Sequence, residues 1–94
     1  MPAYMIAEIK VTDPEAYEAY RTQVPATLKK YGGTYVVRGG AFEALEGETA
    51  GRIVVVQFES MAALKRWYDS PEYSAIKGLR HAASEGRVIA VEGL

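Results

Sequence analysis

Apolar and polar positions along the chain change several times between the two-residue repeat of a strand and the three-to-four-residue repeat of a helix. Segments rich in β-branched and aromatic residues predict four strands, at residues 3–11, 34–38, 52–59 and 87–92. Between the first two strands, the repeat predicts a helix that begins at Thr12 or Asp13. Pro25 has no N–H to donate to the preceding turn, so we expect a kink or break near Gln23.

A second helical segment follows the third strand. Ser60 is predicted to cap a helix that runs to Tyr68, and Ser70 is predicted to start it again with a proline at the first position. The resulting order is β-α-β-β-α-β, and the halves close with the similar segments GTYVVRG and GRVIAVEG. This order predicts an α+β, ferredoxin-like fold, in which two helices cover one face of a four-stranded antiparallel sheet.

Glycines divide the region between the second and third strands. Gly39-Gly40 predicts a bulge or a close backbone approach, after which Phe42–Glu46 is expected to continue the second strand. Gly47–Gly51 is expected to turn the chain. Near the other end, Gly86 is expected to precede the last strand.

The predicted strands are apolar on both faces. In the third strand Val54 and Val56 point one way, while Ile53 and Val55 point the other. An exposed sheet face normally alternates with polar residues, and the predicted helices cover only one face. We therefore expect a homodimer in which the two open faces pack together, the alternative being a monomer with an exposed apolar face.

Composition narrows the class of protein. The 94 residues predict one domain, residues 1–94, and a net charge of −1 without a basic run argues against a nucleic-acid partner. The absence of cysteine excludes thiolate and iron–sulfur chemistry, and one histidine makes a metal site improbable. Without a signal peptide or an apolar stretch of about 20 residues, we expect a cytoplasmic protein with no membrane partner. Standard phosphate-binding, dinucleotide-binding and nucleophile motifs are absent.

Candidate ligand-binding residues form a small aromatic and basic set: Tyr20, Arg38, Trp67, Tyr68, Ser70, Tyr73 and Arg80. The segment Trp67–Tyr73 places aromatic rings around a helix restart, whose free amide groups attract anions. Arg80 lies seven residues after Tyr73 and so nearly above it, where it can hold a buried anion. Arg38 lies in the second strand, and its side chain faces either the pocket or the interface.

Structural roles are the alternative for these residues. Both arginines would then form ion pairs with Glu8, Glu46 or Glu92, and the aromatic segment would be a capped helix break with core rings. No catalytic residue is assigned.

His81 is the only histidine of the chain. The pattern of Ile76, Leu79 and Ala83 predicts the buried stripe of the last helix. His81 falls about 160° from its centre, so we expect this side chain in solvent.

The motifs together match a known family. They are Asp13-Pro14 with Tyr17 and Tyr20, YGGTYVVRGG at Tyr31–Gly40, Glu46-Gly47, Arg52–Phe58, WYDSPEY at Trp67–Tyr73, Arg80, and Val91-Glu92-Gly93. In this combination the chain resembles the domain of unknown function 1330 family, within the dimeric α/β-barrel superfamily, over nearly its whole length. The resemblance implies a ferredoxin-like subunit and a homodimer whose two sheets form a barrel.

Relatives in that superfamily include cofactor-independent monooxygenases of aromatic substrates, muconolactone isomerase-like enzymes, haem proteins and non-catalytic members. One hypothesis is therefore an enzyme without cofactor that acts on a small anionic or aromatic metabolite. Arg38 and Arg80 would stabilise negative charge, and a tyrosine would donate a proton. The other hypothesis is a dimer without enzymatic activity, either ligand-binding or structural. Haem is disfavoured by the predicted exposure of His81.

Overall fold

A computed structural model describes residues 1–49 and 51–94. Its elements are β1 (Ala3–Val11), α1 (Pro14–Arg21), α2 (Val24–Tyr31), β2 (Thr34–Arg38), β3 (Arg52–Phe58), α3 (Met61–Tyr68), α4 (Pro71–Ala83) and β4 (Ser84–Glu92). The strands form one antiparallel sheet in the order β2-β3-β1-β4. The predicted ferredoxin-like fold is therefore confirmed. Within the described residues, no helix is long and apolar enough to cross a membrane.

Local side-chain chemistry sets the helix boundaries. Of the two candidate caps for α1, Asp13 is the one used, since its carboxylate accepts a hydrogen bond of 3.1 Å from the Ala16 N–H. Ser60 and Ser70 cap α3 and α4 in the same way. The break expected from Pro25 is confirmed, because α1 ends at Arg21 and α2 begins at Val24.

Three strand boundaries differ from the sequence prediction, and the smallest difference is that β3 ends at Phe58 and not at Glu59. Phe42–Glu46 is not a strand, and β2 ends at Arg38 because Gly39 takes a φ of 66° that turns the chain out of the sheet. β4 begins at Ser84 and not after Gly86, because Gly86 stays paired with Ile9 and lies against the neighbouring backbone. The expected turn at Gly47–Gly51 includes Ala50, which lies outside the described residues.

The sheet is apolar on both faces, as expected. Residues of β1 at odd positions, such as Met5 and Ile9, are buried under the helices. On the other face, the register aligns Ile6 with Val55 and with Ile89. Ile89 is 49% exposed, and none of the helices within residues 1–49 and 51–94 covers this face, which we call the open face.

Candidate functional site

A cleft lies between the helix-covered face of the sheet and helices α1 and α4, and its empty space is about 460 Å³ when the part open to solvent is included. Apolar side chains from β1 and β3 form its floor. Among the described residues, its polar lining consists of Tyr17, Tyr20, Tyr35 and Tyr73 together with Arg21, Arg38, Arg52 and Arg80. Four of the seven predicted ligand-binding residues belong to this lining: Tyr20, Arg38, Tyr73 and Arg80.

Arg80 comes from the buried side of α4. The buried residues there are Tyr73, Ile76, Arg80 and Ala83, whereas Leu79 is 37% exposed. The predicted stripe was therefore wrong at Leu79, and Arg80 lies within the buried stripe. Its burial places a guanidinium group in the cleft wall, with 8% of the residue exposed.

The guanidinium group of Arg80 is only partly satisfied. Its Nη2 lies 3.1 Å from Nε2 of His81, and its buried Nε has no hydrogen-bond partner among the described residues. Burial acts to lower the pKa of Arg80, but the neighbouring hydroxyls of Tyr73 and Tyr20 outweigh it, and the pKa is raised overall. Arg80 is therefore a charged donor with unused hydrogen-bonding capacity. His81 is exposed, as predicted.

Tyr20 on α1 and Tyr73 on α4 meet beside Arg80. Their hydroxyl oxygens are 2.7 Å apart, and their rings pack edge to face at 6.2 Å between centroids. Burial, followed by the neighbouring Tyr73 hydroxyl, strongly raises the pKa of Tyr20. This hydroxyl therefore remains protonated at neutral pH, so the cleft offers it as a neutral hydrogen-bond donor.

A β-bulge decides which way Arg38 points. Tyr35 pairs with Val56, but Val37 pairs with Val55, so one extra residue is inserted between them. Arg38 then pairs with Val54, whose side chain faces the cleft, and shares that face. The question left open by the sequence is thus answered in favour of the pocket. The bulge lies before Gly39. At Gly39-Gly40, where either a bulge or a close backbone approach was predicted, the group nearest to a Cβ at Gly39 is the Arg52 side chain.

Arg38 is exposed at the rim of the cleft, with its guanidinium carbon 4.4 Å from the centre of the Tyr35 ring. Neither Arg38 nor Arg80 forms an ion pair with a carboxylate among residues 1–49 and 51–94. Glu8, one of the expected structural partners, pairs instead with Arg87.

Arg52 is a cleft residue that was not among the predicted ligand-binding residues. It is the first residue of β3, and its guanidinium group lies so close to Gly39 that a Cβ there would overlap its Nη1. Its buried Nε has no hydrogen-bond partner among the described residues. Burial raises the pKa of the adjacent Tyr17, and the charge of Arg52 partly opposes this. The alternation of strand residues could have predicted its position, because Arg52 precedes Val54 by two residues and so shares its face of the sheet.

Three predicted ligand-binding residues lie outside the cleft lining. Trp67 is fully buried in the core and donates from Nε1 to Thr27 Oγ1 at 3.0 Å. The Ser70 hydroxyl accepts a hydrogen bond from the Tyr73 N–H as the cap of α4. The Tyr68 ring packs under Lys77, whose Nζ lies 3.7 Å from the ring centroid. The prediction that these three residues line the pocket was therefore wrong. Trp67 instead supports the site, with its ring 4.1 Å from that of Tyr73.

The charged side chains that line the cleft are all positive among the described residues. No carboxylate lines it among the described residues. Arg21 is paired with Glu18, so its charge is largely compensated. Arg38, Arg52 and Arg80 have no such partner, and two of them keep an unpaired buried Nε. Such an arrangement can bind and polarise an anion.

The strand order and the helices on one face define a ferredoxin-like fold, here with an apolar open face. The chain belongs to the family described as Domain of unknown function (DUF1330), whose model matches residues 2–94. No curated protein matches the chain.

Solved structures similar to this chain share its fold. A protein of unknown function from Rhodopseudomonas palustris, RPA0582, is 23% identical, with a TM-score of 0.80 over 99% of this chain and 82% of that one. SnoaB, a cofactor-independent oxygenase from Streptomyces nogalater, is 14% identical, with a TM-score of 0.69 over 99% and 93%. A dimeric ferredoxin-like protein of unknown function from Bacteroides fragilis is 15% identical, with a TM-score of 0.66 over 98% and 96%.

Proposed function

We propose that this protein is a homodimer that binds a small anionic, planar metabolite in the cleft between its sheet and helices. The observation that carries the proposal is the group of three arginines, Arg38, Arg52 and Arg80, which line one cleft without a carboxylate partner among the described residues.

Uncompensated guanidinium groups favour an anionic ligand. Like charges that share a partly desolvated cleft repel one another, and a buried N–H without an acceptor costs free energy. The Nε atoms of Arg52 and Arg80 are both in this state. A carboxylate or enolate would accept from these donors and offset the repulsion, so ligand binding satisfies groups that the fold itself leaves unpaired.

The walls of the cleft favour a planar ligand. Tyr17 and Tyr20 present rings 5.5 Å apart on one side, and Tyr35 lies on the sheet across from them. Aromatic walls of this kind bind flat, conjugated molecules through stacking and edge contacts. The aliphatic floor from β1 and β3 supplies apolar contact for the rest of the ligand.

The open face supports the homodimer. Its apolar residues include Val37, Ile89 and Val91, which are 37%, 49% and 43% exposed. An apolar sheet face of this kind is normally covered by another surface. The solved relative from Bacteroides fragilis, which has the same fold, is described as dimeric. A second copy of this chain, packed sheet to sheet, is the partner that we propose.

Ligand binding can be tested by thermal unfolding with benzoate and 4-hydroxybenzoate, and with neutral benzamide as a ligand of matched shape. A ligand that binds only the folded state adds about 2.7 kcal/mol to the free energy of unfolding at a hundredfold excess over Kd, and so raises Tm. We expect a rise with the carboxylates and none with benzamide. Arg80→Gln should remove the rise, while Arg66→Gln, an exposed residue outside the cleft, should retain it. No shift with any small carboxylate would contradict the proposal.

A cofactor-independent enzyme, monooxygenase- or isomerase-like, is the second candidate. It is supported by the hydrogen-bonded hydroxyls of Tyr20 and Tyr73 beside Arg80, which could stabilise a developing oxyanion. Bound carboxylates with exchangeable C–H groups can be incubated with the protein in D2O and followed by ¹H NMR, with oxygen uptake recorded in parallel. Deuterium incorporation or oxygen uptake that Arg80→Gln abolishes would support an enzyme, and neither would favour the non-catalytic alternative.

A further inference from the structure

We infer that the ligand carries two anionic groups on one planar skeleton, one held by Arg80 and the other by Arg52 together with Arg38. The chemical class is a small conjugated dicarboxylate. This inference rests on the proposed function, because it assigns the two ends of a ligand in the same cleft.

The cleft contains two separate sets of unsatisfied donors. Arg80 projects from α4 in the helix layer, whereas Arg52 projects from β3 in the sheet. Each has a buried Nε without a hydrogen-bond partner among the described residues. Tyr17 lines the same cleft, and the charges of both arginines act on its hydroxyl. A ligand with two anionic groups would supply an acceptor to each of these Nε atoms.

Arg52 and Arg38 form the second set as neighbours on the sheet. Arg38 pairs with Val54, and Arg52 precedes Val54 by two residues on the same strand, so both side chains rise from the same face as diagonal neighbours. Diagonal positions lie roughly 7–8 Å apart, within reach of two guanidinium groups that bind a shared anion. The Arg52 guanidinium occupies the space that a side chain at position 39 would need, which the absence of a Cβ in Gly39 leaves free.

Arg80 and its two neighbouring hydroxyls can bind one carboxylate without help from Arg52 or Arg38. Arg80 adjoins the hydroxyls of Tyr20 and Tyr73, which are hydrogen-bonded to each other and lie in the cleft lining. A carboxylate at Arg80 can accept from the guanidinium group and from one of these hydroxyls. The apolar side chains of Ala7, Val54 and Val88, aligned in one row of the sheet, form the floor of the cleft and suit an uncharged skeleton.

The experiment measures Kd by isothermal titration calorimetry for benzoate and for the three benzenedicarboxylates. Phthalate, isophthalate and terephthalate place the second carboxylate at three different separations and so serve as a ruler. We expect at least one isomer to bind about tenfold or more tightly than benzoate, as one further charge-assisted pair provides. Arg52→Gln should reduce that preference to about twofold, and Arg52→Lys should retain part of it.

Two controls separate site-specific pairing from general charge attraction. Arg66→Gln removes a positive charge outside the cleft and should not change the preference. A Tm within a few degrees of the wild-type value verifies that each variant is folded. The comparison of ligands on the wild-type protein requires no variant at all.

The outcomes distinguish this inference from the proposed function. If benzoate binds and no dicarboxylate binds more tightly, the inference is overturned and the proposed function stands. If a dicarboxylate is preferred but Arg52→Gln keeps the preference, the assignment of the second group is overturned. If none of the four carboxylates binds, both fail.

Discussion

The hydroxyl of Tyr20 on α1 and the hydroxyl of Tyr73 on α4 lie 2.7 Å apart in the buried wall of the cleft. This contact joins two helices from different halves of the chain directly beside Arg80. Either hydroxyl can be the donor, and the accepting hydroxyl keeps its own proton to donate. The position of these cleft hydroxyls therefore depends on how α1 packs against α4.

Tyr20→Phe is predicted to destabilise the fold by about 1–3 kcal/mol, because it leaves the Tyr73 hydroxyl buried without this partner. Tyr73→Phe should cost a similar amount for the reciprocal reason. The double variant should cost clearly less than the sum, because no unpaired hydroxyl remains. Urea unfolding of the four proteins gives the coupling free energy, which we expect in the range of about 0.5–3 kcal/mol. Additive effects would contradict a direct hydrogen bond.

Gly39→Ala is predicted to weaken ligand binding through Arg52. A φ of 66° costs a non-glycine residue about 1–2 kcal/mol, and the added Cβ would overlap the Arg52 guanidinium and displace it. We expect lower stability and, in calorimetry, a loss of the dicarboxylate preference.

Gly40→Ala is the matched control, since a Cβ at Gly40 meets no atom within 4 Å. We expect stability within about 0.5 kcal/mol of the wild-type value and an unchanged preference. The two variants differ by one position and add the same methyl group. Equal effects on binding would show that Gly39 has no special relation to Arg52.

The sequence predicted the architecture well because apolar periodicity and capping residues are local signals. Asp13, Ser60 and Ser70 begin helices, and the alternation in β3 assigns both faces of the sheet. The direction of Arg38 could not be predicted, because the one-residue bulge between Tyr35 and Val37 reverses the faces and has no glycine or proline to mark it.

The candidate site was predicted only in part, for a similar reason. Trp67 carries a polar atom that a ligand could use, but the partner of that atom is Thr27, 40 residues away. Long-range pairing of this kind leaves no local pattern. Arg52 was missed for a different reason, since its place on the inner face follows from simple alternation with Val54 and Val56.

Ile89→Lys is predicted to dissociate the proposed homodimer. Ile89 is 49% exposed on the open face, where a charged side chain from each copy would be desolvated by sheet-to-sheet packing. Leu79→Lys is the control, because Leu79 is also a large exposed apolar residue but lies on α4, in the helix layer. Light scattering should give half the wild-type mass for Ile89→Lys only. A wild-type monomer at micromolar concentration would rule out the dimer.

Glu72→Gln is predicted to change how stability depends on acid pH. The Glu72 carboxylate at the start of α4 pairs with Lys30 and accepts a hydrogen bond of 2.7 Å from the Tyr31 hydroxyl. These contacts, that of Lys30 first, lower the pKa of Glu72 from its ordinary value of 4.5 to about 2. Because the folded-state pKa is the lower one, the contribution is fully present above about pH 4.5 and is lost as the pH falls toward 2.

The wild-type protein should therefore exceed Glu72→Gln in stability at neutral pH, and the difference should shrink between about pH 4.5 and 2. Urea unfolding at a series of pH values measures it. Glu43→Gln is the control, because Glu43 is exposed and has no ion pair among the described residues. Raising the salt concentration should reduce the difference at neutral pH, since the pair is partly exposed and is screened. A difference that stays constant across the acid range would contradict the assigned role of Glu72.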